Sequence, residues 1–431
     1  MRRLLLSSSA LVVGLAAVAA VGAPAVADSV SPNTCLSDCT AVFDTAGAHS
    51  FTAPAAATSL TVTVNGAAGA PASQAITNDS TALGGAGGSA TVDLGVDGAG
   101  VTFDLGVGAT GAGSSVSTDG DLLVLAGGGG GGGYVGRLDL PGQIFGTYPG
   151  GAGGSPTTVG VTPGATATAF GANPANGQGA TAAPGAGGIG LAPGSAGSPS
   201  NGIGSVPGGA GGSRDIVVSG APVTHTGGAG GGGYAGGGGG AVTQVDAGDD
   251  IIDDLVAPGG GGSGFLAAGL TATAGEPNAG PGSVTFTWSF SPAASTGSTT
   301  VHPGDSVTVD VTGLPANVAF DEVLDGAIVA SGTSDADGAA TVTFTVPAGQ
   351  RAGAFPVQTL VDGVLAASTS AVTVVVDPAA ATPSGSGTPA ALAATGSDLP
   401  VGGMSAGALL IAAGAVLLVA RRRIAAVRGA R

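Results

Sequence analysis

Seven consecutive glycines, Gly127–Gly133, stand in a chain of 431 residues that carries 87 glycines. A stretch without side chains has no apolar surface of its own to bury, and glycine loses more backbone freedom on ordering than any other residue. Further runs follow at Gly230–Gly233, Gly236–Gly240 and Gly259–Gly262. Tyr134 follows the first run, Tyr234 separates the second from the third, and Phe265 comes shortly after the last. Three physical states suit such runs. Collagen demands glycine at every third position, and a block of seven breaks that period. Disorder follows if nothing offsets the backbone entropy. The third state is a bundle of polyproline-II helices, which without side chains approach closely enough for direct backbone hydrogen bonds and Cα–H···O contacts.

Both ends carry processing signals that stand outside the fold. Arg2-Arg3, an apolar stretch from Leu11 to Val21 and the small-x-small triplet Ala25-Val26-Ala27 read as a signal peptide, residues 1–27, cleaved after Ala27. At the other end, Val401 to Ala420 are twenty uncharged residues rich in Ala, Leu and Val. As a helix they span about 30 Å, the thickness of a bilayer's hydrocarbon core. The tail 421–431 begins Arg421-Arg422-Arg423, and such a positive tail stays cytoplasmic. Leu392-Ala393-Ala394-Thr395-Gly396 stands just before the helix. In that order, the motif, spacer, helix and arginine tail resemble the cell-wall sorting signal of high-GC Gram-positive bacteria. The resemblance implies a transient sortase partner, cleavage between Thr395 and Gly396, and attachment to peptidoglycan through Thr395. The helix would hold the precursor in the membrane until then.

The mature chain is then 28–395, with Arg137, Arg214 and Arg351 against 26 acids, a formal net charge of −23. Such a chain repels nucleic acid, whose phosphates need Lys or Arg. There is no lysine anywhere. That absence excludes Walker loops, Schiff-base chemistry and lysine-based covalent cross-links. The only two cysteines, Cys35 and Cys39, lie close together near the mature N-terminus and suit a local structural disulfide in an exported protein.

Composition divides the exported part into a glycine-rich domain at 28–292, an ordinary β domain at 293–376 and a Pro/Ser/Ala wall-spanning linker at 377–395. The first holds 68 of the 87 glycines. Alternating apolar runs predict strands at Leu60–Val64, Ala90–Leu94, Val101–Leu105, Leu122–Leu125 and Val284–Trp288. FDTAGAHSFTAPAAATSLTVTVNGAAGA, GGAGGSATVDL, VTFDLGVGATGAG, LLVLAGGGGGGGYVG, GGAGGGGYAGGGGG and PGSVTFTWSF follow one another in order. This series resembles the glycine-rich domain of many bacterial surface proteins and is similar to the glycine-rich extracellular region of the anaplastic lymphoma kinase receptors. The resemblance implies a mainly β fold, a jelly-roll-like framework with an inserted polyproline-II bundle. No cysteine pair lies inside the domain, so the receptors' ligand-binding role is not carried over.

Residues 293–376 resemble a bacterial immunoglobulin-like module. Period-two alternation predicts strands at Ser306–Thr312, Ala339–Val346, Pro356–Val361 and Ala371–Val376, with a hairpin turn at Asp335-Ala336-Asp337-Gly338. The resemblance implies a β-sandwich spacer.

No catalytic constellation emerges. His49, His225 and His302 are far apart, and no H-E-x-x-H occurs. The one G-x-S-x-G match, Gly403–Gly407, falls in the apolar C-terminal segment, where a nucleophile elbow has no strand-to-helix turn to sit on. Glu276 and Glu322 are the only glutamates. Five aspartates, Asp246, Asp249, Asp250, Asp253 and Asp254, would share one face if their segment were a short helix, and calcium would neutralise them there. The sequence therefore points to a non-enzymatic, wall-anchored surface protein with a structural or adhesive role and an unidentified surface ligand. The alternatives are a calcium-dependent recognition module and a secreted hydrolase.

Overall fold

The structure is a computed structural model that describes residues 28–72, 83–95, 100–137, 144–169, 173–218, 221–246 and 252–376. Described residues up to Val376 belong to one compact unit, and they are built from strands and extended segments, with no α-helix among them. The signal peptide, the linker, the sorting motif, the apolar segment 401–420 and the arginine tail lie outside the described residues.

Two six-stranded sheets frame the glycine-rich part. One runs Ser29–Val30, Cys39–Phe43, Ser283–Phe290, Ala57–Asn65, Ser89–Asp93 and Thr271–Ala274 in spatial order; the other runs Gly160–Thr162, Gly264–Leu266, Asp121–Ala126, Ser114–Thr118, Thr102–Val107 and Gly47–Thr52. All pairings in both are antiparallel. Alternation selects the buried face. In Ala57–Asn65, Leu60, Val62 and Val64 face inward, and in Ser283–Phe290, Val284, Phe286 and Trp288 do so. The core they share with Phe43, Phe103 and Val124 is rich in aromatic rings, with Phe51 stacked on Phe286 at 4.2 Å between ring centroids. All five strands expected in this part are present. The framework needs them because the glycine runs supply no core of their own.

The glycine-rich segments leave this framework and return to it. A four-stranded sheet, Ile144–Tyr148, Gly133–Arg137, Ile252–Val256 and Val242–Asp246, lies where several of them end, around a small core of Val135, Leu255 and alanines.

A separate core forms beyond residue 292. Ala293–Thr296, Ser306–Thr312 and Ala340–Thr345 make one sheet, and Ala327–Thr333, Ala319–Leu324, Val357–Val361 and Val364–Ser368 make another. Thr300–Val301 pairs in parallel with Val372–Val374, which also pairs with Gly353–Phe355. Val307, Val309, Val311, Phe320, Leu324 and Phe344 fill the middle. The four expected strands are found to within two residues at either end. The turn expected at Asp335–Gly338 is not a hairpin: it carries the chain from Ala327–Thr333 in one sheet to Ala340–Thr345 in the other. Two-residue hairpins among the described residues include Asp119-Gly120, Asp325-Gly326 and Asp362-Gly363, each with positive φ at both residues. Asp-Gly fits that mirror-image turn because both residues tolerate the left-handed region.

Candidate functional site

The glycine runs form the distinctive surface and interior of the molecule. Along Gly127–Gly132 the backbone N–H groups donate outward in rotation. Gly127 and Gly130 bond to the carbonyls of Gly154 and Gly151 at 3.0 and 2.8 Å, Gly128 and Gly131 to Gly232 and Ala229 at 2.7 Å each, and Gly129 and Gly132 to Ala67 and Ala70 at 2.9 and 3.0 Å. Every third residue therefore meets the same neighbour. Gly236–Gly240 repeats the pattern, with Gly236 and Gly239 on Ser198 and Ser195, Gly237 and Gly240 on Gly231 and Gly228, and Gly238 on Gln178. A buried segment without side chains must satisfy its peptide groups on other backbones, and these do.

The same period governs where a side chain is tolerated. A Cβ on Gly130, Gly150, Gly208 or Gly238 would collide with the carbonyl oxygen of Gly259, Gly130, Gly230 or Ala186 respectively. Segments packed on all sides read as unbroken glycine. Segments at the edge read x-Gly-Gly: Gly84–Ser89 and Gly150–Ser155 and Gly208–Ser213 all spell GGAGGS. Their glycines face neighbouring backbone, and Ala86, Ala152 and Ala210 occupy the remaining face, half-buried or exposed. The repeat was visible in the sequence, and its spacing of three was the signal for it.

Aromatic rings sit at the ends of runs. Tyr234 stacks on Phe265 with centroids 4.8 Å apart and planes 13° from parallel, and Tyr134 is buried against His225 at 5.9 Å.

The residues singled out for chemistry are scattered. His49 is buried beside Phe43, its Nε2 2.6 Å from the Thr45 carbonyl, while His302 lies near Asp305 in the C-terminal module. Glu276 is exposed, whereas Glu322 is fully buried in the C-terminal module, accepting a hydrogen bond from Thr359 Oγ1 at 2.9 Å. Burial pushes the Glu322 carboxyl above the ordinary glutamate range, partly opposed by that bond. Asp28, at the expected new N-terminus, is held well below the carboxylate range by the N–H groups of Thr45 and Asp44 and the Thr45 hydroxyl.

Cys35 and Cys39 form a disulfide. In the aspartate-rich segment strands stand where the calcium reading assumed a short helix. Asp246 closes strand Val242–Asp246, while Asp253 and Asp254 lie in its antiparallel partner Ile252–Val256; Asp249 and Asp250 fall outside the described residues. The spacing that gathers five carboxylates on a helix face has no such effect in strands, where alternate residues face opposite sides. The β-branched and leucine residues flanking the aspartates favour the strand. Among the described residues no three His, Cys, Asp or Glu side chains are grouped to hold a metal, and no helix is long and apolar enough to cross a membrane. Comparison with protein-family models, with curated proteins and with solved structures finds no match.

Proposed function

We propose that this chain is a cell-wall-anchored surface protein with a structural or adhesive role. In this reading the glycine-rich domain is outermost, a polyproline-II bundle inserted in a jelly-roll-like framework. The threefold rotation of its hydrogen bonds supports this, since polyproline II has three residues per turn. The C-terminal module is an immunoglobulin-like spacer, supported by its two sheets around one core. The linker 377–395 then crosses the wall to Thr395, joined by sortase to peptidoglycan.

The observation that carries the adhesive role is a contrast on the bundle surface. Its body offers alanine, proline and serine, but Ile189, Leu191 and Ile203 stand on its turns with 73%, 59% and 65% of their surface exposed. Apolar side chains carried on a hydrogen-bonded backbone support lose little freedom when a partner covers them, which favours non-covalent contact. The test has two arms. Muralytic digestion should release a chain ending at Thr395; recovery with its arginine tail in the membrane fraction overturns the wall anchor. Cells displaying the Ile189→Ser, Leu191→Ser, Ile203→Ser variant should aggregate or adhere less than cells displaying the parent, at unchanged melting temperature. Equal adhesion overturns the adhesive surface.

A further inference from the structure

The disulfide-closed loop CLSDC touches both hydrophobic cores. Cys39 is fully buried in the core of the glycine-rich framework, in register with Trp288 on the neighbouring strand. Leu36, three residues earlier, packs instead against the core of the C-terminal module. Between them Asp38 has φ 51°, and its N–H donates to Ser289 Oγ at 3.1 Å, while the Leu36 carbonyl accepts the N–H of Phe290 at 2.8 Å. Ser289 and Phe290 are the last two residues of the strand that leads into the C-terminal module, whose first strand begins at Ala293.

We propose that this loop is a peg that locks the glycine-rich framework to the C-terminal module. A covalent connection of two residues, Ser291-Pro292, is a single tether: the Pro292 ring fixes its own φ and restricts Ser291, and the remaining backbone bonds still permit swing. Leu36, tied by its carbonyl to Phe290 beside that tether, sends its side chain into the second core, and this second attachment restrains the swing that one permits. The contact at Gly338 adds a third: a Cβ there would lie 2.8 Å from the Cβ of Ala56, which precedes the strand Ala57–Asn65. The bridge Cys35–Cys39 closes too small a loop to constrain the unfolded chain much. Its effect is to hold Leu36 and the left-handed Asp38 in the one geometry that reaches the second core.

The test uses the full chain and two variants. Leu36→Ser keeps the disulfide and the framework core; Cys35→Ser with Cys39→Ser removes the bridge. Digestion by a protease that cleaves after aromatic residues reports opening at Phe290, and fluorescence of Trp288, the only tryptophan, reports the framework. Both variants should be cut after Phe290 on the order of tenfold faster than the parent, as a locally opened junction demands. In Leu36→Ser the tryptophan melting curve should stay where it is. Unchanged cleavage in Leu36→Ser overturns the peg. So does faster cleavage accompanied by loss of the tryptophan transition, because the framework itself has then been damaged.

Discussion

Gly130 and Gly259 lie back to back: the position a Cβ would take on Gly130 is occupied by the carbonyl oxygen of Gly259. Two residues 129 positions apart are thereby held in backbone contact, with the Gly259 N–H donating to the Gly131 carbonyl at 2.9 Å alongside. Gly130→Ala and Gly238→Ala should each destabilise the domain, because the obstructing atoms are backbone and cannot rotate away. Overpacking costs about 1–3 kcal/mol. In an unpacked loop the same changes would stabilise by about 0.4–1 kcal/mol through the unfolded state. Thermal melts decide the sign.

Substitution on the outward face separates packing from composition. Ala210→Ser, in an exposed position of the GGAGGS repeat, should leave the melting temperature within error, whereas Gly209→Ala, one residue away, should lower it because its Cβ would meet the Ser195 carbonyl. Equal effects at both sites would mean that the three-residue period carries no packing information.

Tyr234 and Phe265 end neighbouring glycine segments and stack. Such a pair contributes about 0.5–1.5 kcal/mol beyond buried area. Tyr234→Ala should lower stability by at least that amount. Tyr234→Phe should not, since the ring contact remains.

Glu322 makes the C-terminal module sensitive to pH. Its folded-state pKa lies above the ordinary 4.5, so burial favours the protonated form. That contribution is complete below the unfolded value and is lost as pH rises through the folded one. Glu322→Gln keeps the acceptor for Thr359 and removes the charge. Denaturant midpoints of this variant should match the parent in acid and exceed it increasingly as pH rises above 4.5. A parallel pH dependence in both proteins would contradict the assignment.

The hairpin Leu324-Asp325-Gly326-Ala327 offers a backbone check. Gly326 has φ 81° with open space around the position of a Cβ, so Gly326→Ala meets no clash and reads strain alone. It should cost on the order of 1 kcal/mol, the penalty for an L-residue in the left-handed region. The Arg351 guanidinium, paired with Asp325 at 2.6 and 2.7 Å, is largely exposed, and Arg351→Ala should cost less.

By itself the sequence determined nine strands of the two β parts, such as those around Leu60–Val64 and Ser306–Thr312, because period-two alternation records which face is buried, and it paired Cys35 with Cys39 as the two cysteines of this chain; strands without that alternation, such as Gly47–Thr52, were not legible. It also held the Asp-Gly hairpins and the GGAGGS period, since a left-handed turn and a three-residue repeat are local requirements. Pattern alone did not separate helix from strand at Asp246, Asp253 and Asp254, whose spacing suits a helix face and which lie in two paired strands. The tertiary structure decided the partners. A glycine has no side chain to specify its neighbour, so which backbone Gly130 meets depends on where the framework strands deliver each segment. The direction of Leu36 was decided in the same way. Nothing local distinguishes a leucine in a small disulfide loop that faces water from one that enters the core of the next module.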